Sequence, residues 1–165
     1  MQLPDPEQLV RQLAAALKPR LRANTALVGI HSGGAWVAQK LQQQLGVTLP
    51  LGTLDISFYR DDFSSVGLHP QVRPSDIPFA VDDAHIILID DVLYTGRTVR
   101  AAMNELFDYG RPAAIELVVL IDRGGRELPI AADFVGARLE LTENQNIQVT
   151  LDTPNNRLLL SLHQR

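Results

Sequence analysis

The residues best suited to chemistry lie in one run, Ile86 to Thr98, IILIDDVLYTGRT. Two adjacent acids, Asp90 and Asp91, close an apolar stretch, and Tyr94-Thr95-Gly96-Arg97 then leads into a helix-like segment. Backbone N–H groups of such a loop, at a helix N-terminus, can hold a phosphate. Gly96 permits close backbone approach, and the hydroxyls of Thr95 and Thr98 can donate to phosphate oxygens. The two carboxylates can accept hydrogen bonds from sugar hydroxyls. Phosphate donors beside diol acceptors suit a ribose 5-phosphate. A single acid here reads as a strand end or a helix cap; the full combination of strand, paired acids and Thr-Gly-x-Thr reads as a site.

Two further turns follow apolar runs. His31-Ser32-Gly33-Gly34 follows ALVGI, and Asp122-Arg123-Gly124-Gly125 follows IELVVLI. Alone, the first is an ordinary strand-to-helix turn and Arg123 is a surface ion-pair partner. Ser32, His31 and Asp55 do not form a nucleophilic triad by spacing. The absence of Cys excludes disulfides, thiolate metal sites and a Cys nucleophile.

These segments need elements to position them. Asp5-Pro6-Glu7-Gln8 reads as a helix start, with Asp5 as cap, Gln8 completing a capping box, and Pro19 ending or kinking the helix. Ala26 to Ile30 reads as a buried strand, Ala35 to Leu45 as a helix closed by Gly46, and Leu51 to Tyr59 as a second strand. His85 to Asp90 and Ile115 to Ile121 are dominated by apolar residues without alternation, as in parallel strands covered on both faces. Thr98 to Tyr109 reads as the helix between them. Ile147 to Asp152 and Arg157 to Leu162 flank Thr153-Pro154-Asn155-Asn156 as a hairpin. Residues 59–82 are polar and Pro-punctuated, suited to a lid. The alternation predicts an α/β fold with a mostly parallel sheet.

The 165 residues suit one domain over 1–165, with 45% hydrophobic and 21% charged residues and a net charge of −4. That balance argues against an obligate polyanion binder. Thirteen of the 15 basic residues are Arg, for which codon usage is the general explanation, so the count alone decides nothing about phosphate binding. MQLPDPEQLV has no signal-peptide pattern, and no apolar run reaches the ~18–20 residues of a membrane span. A soluble, cytoplasmic protein without membrane partners is expected.

IILIDDVLYTGRT resembles the phosphoribosyl-pyrophosphate (PRPP) signature of type I phosphoribosyltransferases. With DISFYRDDFSSVGLHPQVRPSDIP upstream and DRGGRELP downstream, the chain from about Leu27 to the hairpin resembles the PyrR family. That family pairs uracil phosphoribosyltransferase activity with regulation of the pyrimidine operon. The resemblance implies a type I phosphoribosyltransferase fold with a small C-terminal hood and hairpin. It implies that Asp90, Asp91, Val92, Leu93, Tyr94, Thr95, Gly96, Arg97 and Thr98 bind the 5-phosphate and ribose of PRPP or UMP. His31, Ser32, Gly33 and Gly34 would bind pyrophosphate, and Arg73 would face phosphate from a loop over PRPP. Arg123 would contact pyrophosphate or substrate, and the hood near Ile147 would read uracil through backbone groups. Asp90, Asp91 and Arg123 are thus the implied catalytic residues. Mg²⁺ would be carried mainly by PRPP oxygens, with no dedicated protein metal ligands.

The implied reaction is uracil + PRPP to UMP + pyrophosphate, in a homo-oligomer (dimer or tetramer) that also binds the leader mRNA of the pyrimidine operon. Two segments depart from the family pattern: the pyrophosphate loop lacks its usual Arg, and Gly136-Ala137-Arg138-Leu139-Glu140-Leu141 replaces a Gly-Lys-Asn-type stretch. A basic face for RNA would therefore come from Arg11, Arg20, Arg22 and Arg138. Taken by themselves, Arg11, Arg20 and Arg22 read first as a solvated helix face. The alternatives are a PRPP-dependent enzyme without RNA binding, a regulator with little catalysis, and a purine phosphoribosyltransferase, which the flanking motifs do not favour.

Overall fold

The computed structural model describes residues 1–56 and 75–165. The first helix, α1, runs Pro6–Leu17: Asp5 caps it by accepting from the Glu7 N–H, and Pro6 occupies the first turn. Pro19 falls in a 3₁₀ turn, Lys18–Arg20, directly after the α-helix ends. Strand β1 (Thr25–Ile30) is followed by α2 (Gly33–Leu45), β2 (Leu51–Leu54), β3 (His85–Leu93), α3 (Arg97–Tyr109) and β4 (Ala114–Asp122). Then come β5 (Phe134–Arg138), β6 (Gln145–Asp152) and β7 (Arg157–Gln164).

Five parallel strands form one sheet in the order β2-β1-β3-β4-β5, and β6 and β7 pair antiparallel as a separate hairpin. Strand alternation divides the apolar residues between two faces. Leu27, Ile87, Ile89, Val118 and Leu120 meet α1, α2 and the hairpin's Ile147, Val149 and Leu158. Ala26, Val28, Ile86, Leu88 and Val119 meet Val99, Ala102 and Leu106 of α3. A sheet covered on both faces explains why β1, β3 and β4 read as largely apolar runs without alternation. This is the type I phosphoribosyltransferase fold expected from the resemblance. Among the described residues, no helix is long and apolar enough to cross a membrane.

Several boundaries differ from expectation. Helix α2 begins at Gly33, so the paired glycines are its first turn and not a loop before it. Strand β3 runs on to Leu93, so Asp90 and Asp91 lie within it. Strand β2 stops at Leu54, and β5, for which nothing was expected, forms the sheet edge beside β4. Most of the proposed lid, together with Arg73, lies outside the described residues. Its described end is tied down: Asp76 exchanges backbone hydrogen bonds with Thr53, and Ser75 Oγ donates to Glu105 and accepts from the Asp55 N–H.

Candidate active site

The strand order reverses between β1 and β3, which opens a crevice at their carboxyl ends. Pairing of β1 with β3 ends at Gly29–Ile89, whereas β3 stays paired with β4 to Leu93–Asp122. Asp90 and Asp91 therefore stand on the edge of β3 that β1 has left. The first turn of α2 fills this edge closely: a Cβ on Gly33 would fall 2.0 Å from Asp91 Oδ2, so only glycine fits. The His31–Gly34 turn and the acid pair are thus brought together.

The two acids occupy different environments. Asp90 is 4% exposed and its Oδ1 accepts from the Asp91 N–H at 2.9 Å. Asp91 is partly exposed, and its Oδ1 accepts from the Val92 N–H at 2.8 Å. Thr95 is buried and its Oγ1 accepts from the N–H of Arg97, the first residue of α3, at 3.2 Å. Gly96 has φ +95°, and a Cβ there would meet the Ile130 side chain at 3.1 Å. Gly96 is therefore required by backbone conformation and packing as well as by any approaching ligand.

Not every residue expected to bind substrate is placed to do so through its side chain. Leu93 is buried in the α3-side core, and Arg123 N donates to its carbonyl. Val92 packs against the other core. The Arg97 guanidinium turns outward to Glu127 at 3.0 Å, leaving its backbone in the loop. Ile147 is 5% exposed and belongs to the hairpin-side core, so only its backbone is available to read a base.

Arg123 is not on the surface. It is 6% exposed, lies 4.0 Å over the Tyr94 ring, and reaches Asn146 Oδ1 and the Thr142 carbonyl of the hood, both at 3.5 Å. Its Nε is buried without a partner. Burial pushes this guanidinium below its ordinary value, and nearby Arg165 acts in the same direction, although it stays a cation. A buried cation held by long contacts between phosphate loop and hood suits an electron-rich ligand.

Arg126 was not singled out from the sequence. It donates to the Tyr94 carbonyl at 2.7 Å, the Ile130 carbonyl at 2.9 Å and Asp122 Oδ2 at 2.6 Å. The available signal was its spacing four residues after the strand-terminal Asp122. Burial raises the Asp122 carboxyl, but hydrogen bonds from Arg126 and the Gly124 N–H, with the charges of Arg126 and Arg138, outweigh it and hold the carboxyl below its ordinary value. Among the described residues, no group of three or more His, Asp or Glu converges to hold a metal. Asp90 and Asp91 do offer the hard oxygen donors that suit Mg²⁺.

A parallel sheet with a phosphate-type loop, paired acids and a glycine turn at its switch point defines a phosphoribosyltransferase. The phosphoribosyl transferase domain family matches residues 2–154. The Bifunctional protein PyrR of Pseudomonas putida strain W619 is 55% identical over 158 residues, covering 93% of this chain and 92% of the relative. That of Nitrosococcus oceani is 53% identical over 165 residues, covering 93% of each. The chain belongs to the PyrR family of phosphoribosyltransferases. Among solved structures, a Staphylococcus aureus hypoxanthine phosphoribosyltransferase matches with a TM-score of 0.66 and 24% identity, over 82% of this chain and 74% of that one. That likeness concerns the fold alone.

Proposed function

We propose that this protein transfers the phosphoribosyl group of PRPP to uracil, giving UMP and pyrophosphate, and that UMP in the same pocket regulates its binding to the leader RNA of the pyrimidine operon. One domain spanning 1–165 carries both roles, in the cytoplasm and as a homo-oligomer. The observation that carries the enzymatic reading is the acid pair at the vacated edge of β3, facing the first turn of α2.

In the reaction, the ribose C1–O bond to pyrophosphate breaks, the bond to uracil N1 forms, and the N1 proton leaves to pyrophosphate or solvent. Positive charge develops on the ribose, so catalysis rests on positioning and electrostatics rather than on a covalent nucleophile. Asp90 and Asp91 accept the ribose hydroxyls and fix the sugar. The Tyr94–Thr98 backbone and the threonine hydroxyls hold the 5-phosphate, and the His31–Gly34 turn receives the pyrophosphate. Arg123, between this loop and the hood, contacts substrate or pyrophosphate. Mg²⁺, carried mainly by PRPP oxygens, would neutralise charge on the departing pyrophosphate, and the Asp90 and Asp91 carboxylates would offer it oxygen donors on the protein side.

Product analysis with PRPP, Mg²⁺ and each nucleobase in turn tests this reading. UMP from uracil alone is expected. A purine nucleotide from guanine or hypoxanthine, with none from uracil, would replace it with the purine reading.

A further inference from the structure

The wall behind the phosphate loop is built from the segment that follows β4. Arg123 N donates to the Leu93 carbonyl at 3.1 Å, Arg126 Nη1 to the Tyr94 carbonyl at 2.7 Å, and Glu127 N and Leu128 N to the Thr95 carbonyl at 2.9 and 3.2 Å. Three successive loop carbonyls are thereby turned toward this wall. In a trans peptide, C=O and N–H point in opposite directions. The N–H groups of Tyr94, Thr95 and Gly96 are therefore turned away from the wall, toward the crevice. Three of these four bonds come from backbone; only the bond to Tyr94 comes from a side chain, so a substitution can remove it.

That side chain is well placed to set the loop's geometry. Arg126 engages three separate groups, on Tyr94, Ile130 and Asp122, so its fork is fixed from every side. Its partner Asp122 is itself held by the Gly124 N–H at 3.0 Å. The Tyr94 carbonyl belongs to the peptide that carries the Thr95 N–H, in the middle of the loop. A charged donor on that carbonyl also polarises the peptide, making the opposite N–H a better donor to an anion.

We infer that Arg126 is a positioning residue for the 5-phosphate: it orients the Tyr94–Gly96 N–H groups from behind and touches neither sugar nor base. The inference rests on the assignment of this loop to the 5-phosphate of PRPP and UMP. It predicts selectivity. Ligands bearing the phosphate should depend on Arg126, and the same nucleoside without phosphate should not. A role confined to holding the fold together would weaken both alike.

The test measures UMP and uridine affinities by calorimetry, and kcat and KM for PRPP, on wild type, Arg126→Met and Arg126→Lys. In Arg126→Met, UMP affinity should fall and KM for PRPP rise by about ten-fold or more, the order expected for one charge-assisted hydrogen bond. Uridine affinity and kcat should change by less than about two-fold on the same scale. Arg126→Lys, which keeps one charged donor, should recover part of the loss; should the Met variant not fold, the Lys variant must show the same selectivity in smaller measure. Equal weakening of UMP and uridine, or no change in either, overturns the inference while leaving the loop assignment intact. Wild type that binds UMP no better than uridine and does not turn over PRPP overturns both.

Discussion

Asp90 and Asp91 are neighbours in sequence that occupy different surroundings. Asp90 is sunk into the strand and braces the Asp91 backbone, while Asp91 faces the first turn of α2. Changing both to Asn keeps their size and removes both charges. Turnover with PRPP should fall by about a hundred-fold or more, because charge-assisted hydrogen bonds to the sugar are lost. The melting transition should stay cooperative, and wild-type kinetics in this variant would remove the pair from the site. Glu116 is a purely structural acid at the other end of the sheet. Its Oε1 takes hydrogen bonds from Arg20 and from fully buried His85, both at 3.0 Å. Burial raises this carboxyl, but those hydrogen bonds and charges outweigh it and hold it below the ordinary 4.5. The folded state thus binds this proton less readily than the unfolded one. The resulting stability is present above the ordinary value of 4.5 and is lost as pH falls through the lower folded value. Urea midpoints followed from about pH 6 to about pH 3 should decline less steeply in Glu116→Gln than in wild type.

Among the elements, the hood hairpin depends on α1. Glu7 accepts from the Leu158 N–H at 2.8 Å and pairs with Lys40 of α2 at 3.2 Å, and Lys40 in turn donates to the Asn156 carbonyl in the hairpin turn. Glu7→Ala should destabilise the protein by about 1–3 kcal/mol, since it orphans the part-buried Leu158 N–H and removes the ion-pair partner of Lys40; an unchanged urea midpoint would show that the tie contributes nothing. Strands β1, β3 and β4 were legible because buried parallel strands are apolar without alternation, and the hairpin because Thr-Pro-Asn-Asn interrupts two strand-like runs. Strand β5 was not legible: FVGAR is short, half-exposed and contains Gly136, so neither period nor composition marks it. The start of α2 was misread because a glycine pair ordinarily argues against a helix. The acids and the Thr-Gly-x-Thr loop were visible in local sequence. Arg126 was marked only by its spacing from Asp122, because its other partners, at Tyr94 and Ile130, are backbone carbonyls, which leave no trace in residue type.

For the whole molecule, the basic face proposed for RNA is reduced by internal pairing. Arg20 is committed to Glu116, and Arg138 lies 3.6 Å from Asp122. Exposed Arg11 and Arg22 are the better candidates. Leader-RNA retention on filters should strengthen with UMP, weaken at high salt through counterion release, and weaken in Arg22→Ala without loss of uracil turnover. No retention with or without UMP at either salt concentration would remove the regulatory half of the proposal. Reciprocity demands that RNA tighten UMP binding by the same factor. The polar cluster of Thr25, His85, Glu116 and Arg20 lies at the amino ends of the strands, five residues of β3 below Asp90. At about 3.3 Å per residue this is roughly 16 Å, beyond the range over which substitutions ordinarily couple. Robustness and turnover are therefore separable traits in this protein. A directed-evolution campaign can repack the floor of the sheet for heat tolerance, recombine the winners freely with changes at the mouth, and expect their benefits to add.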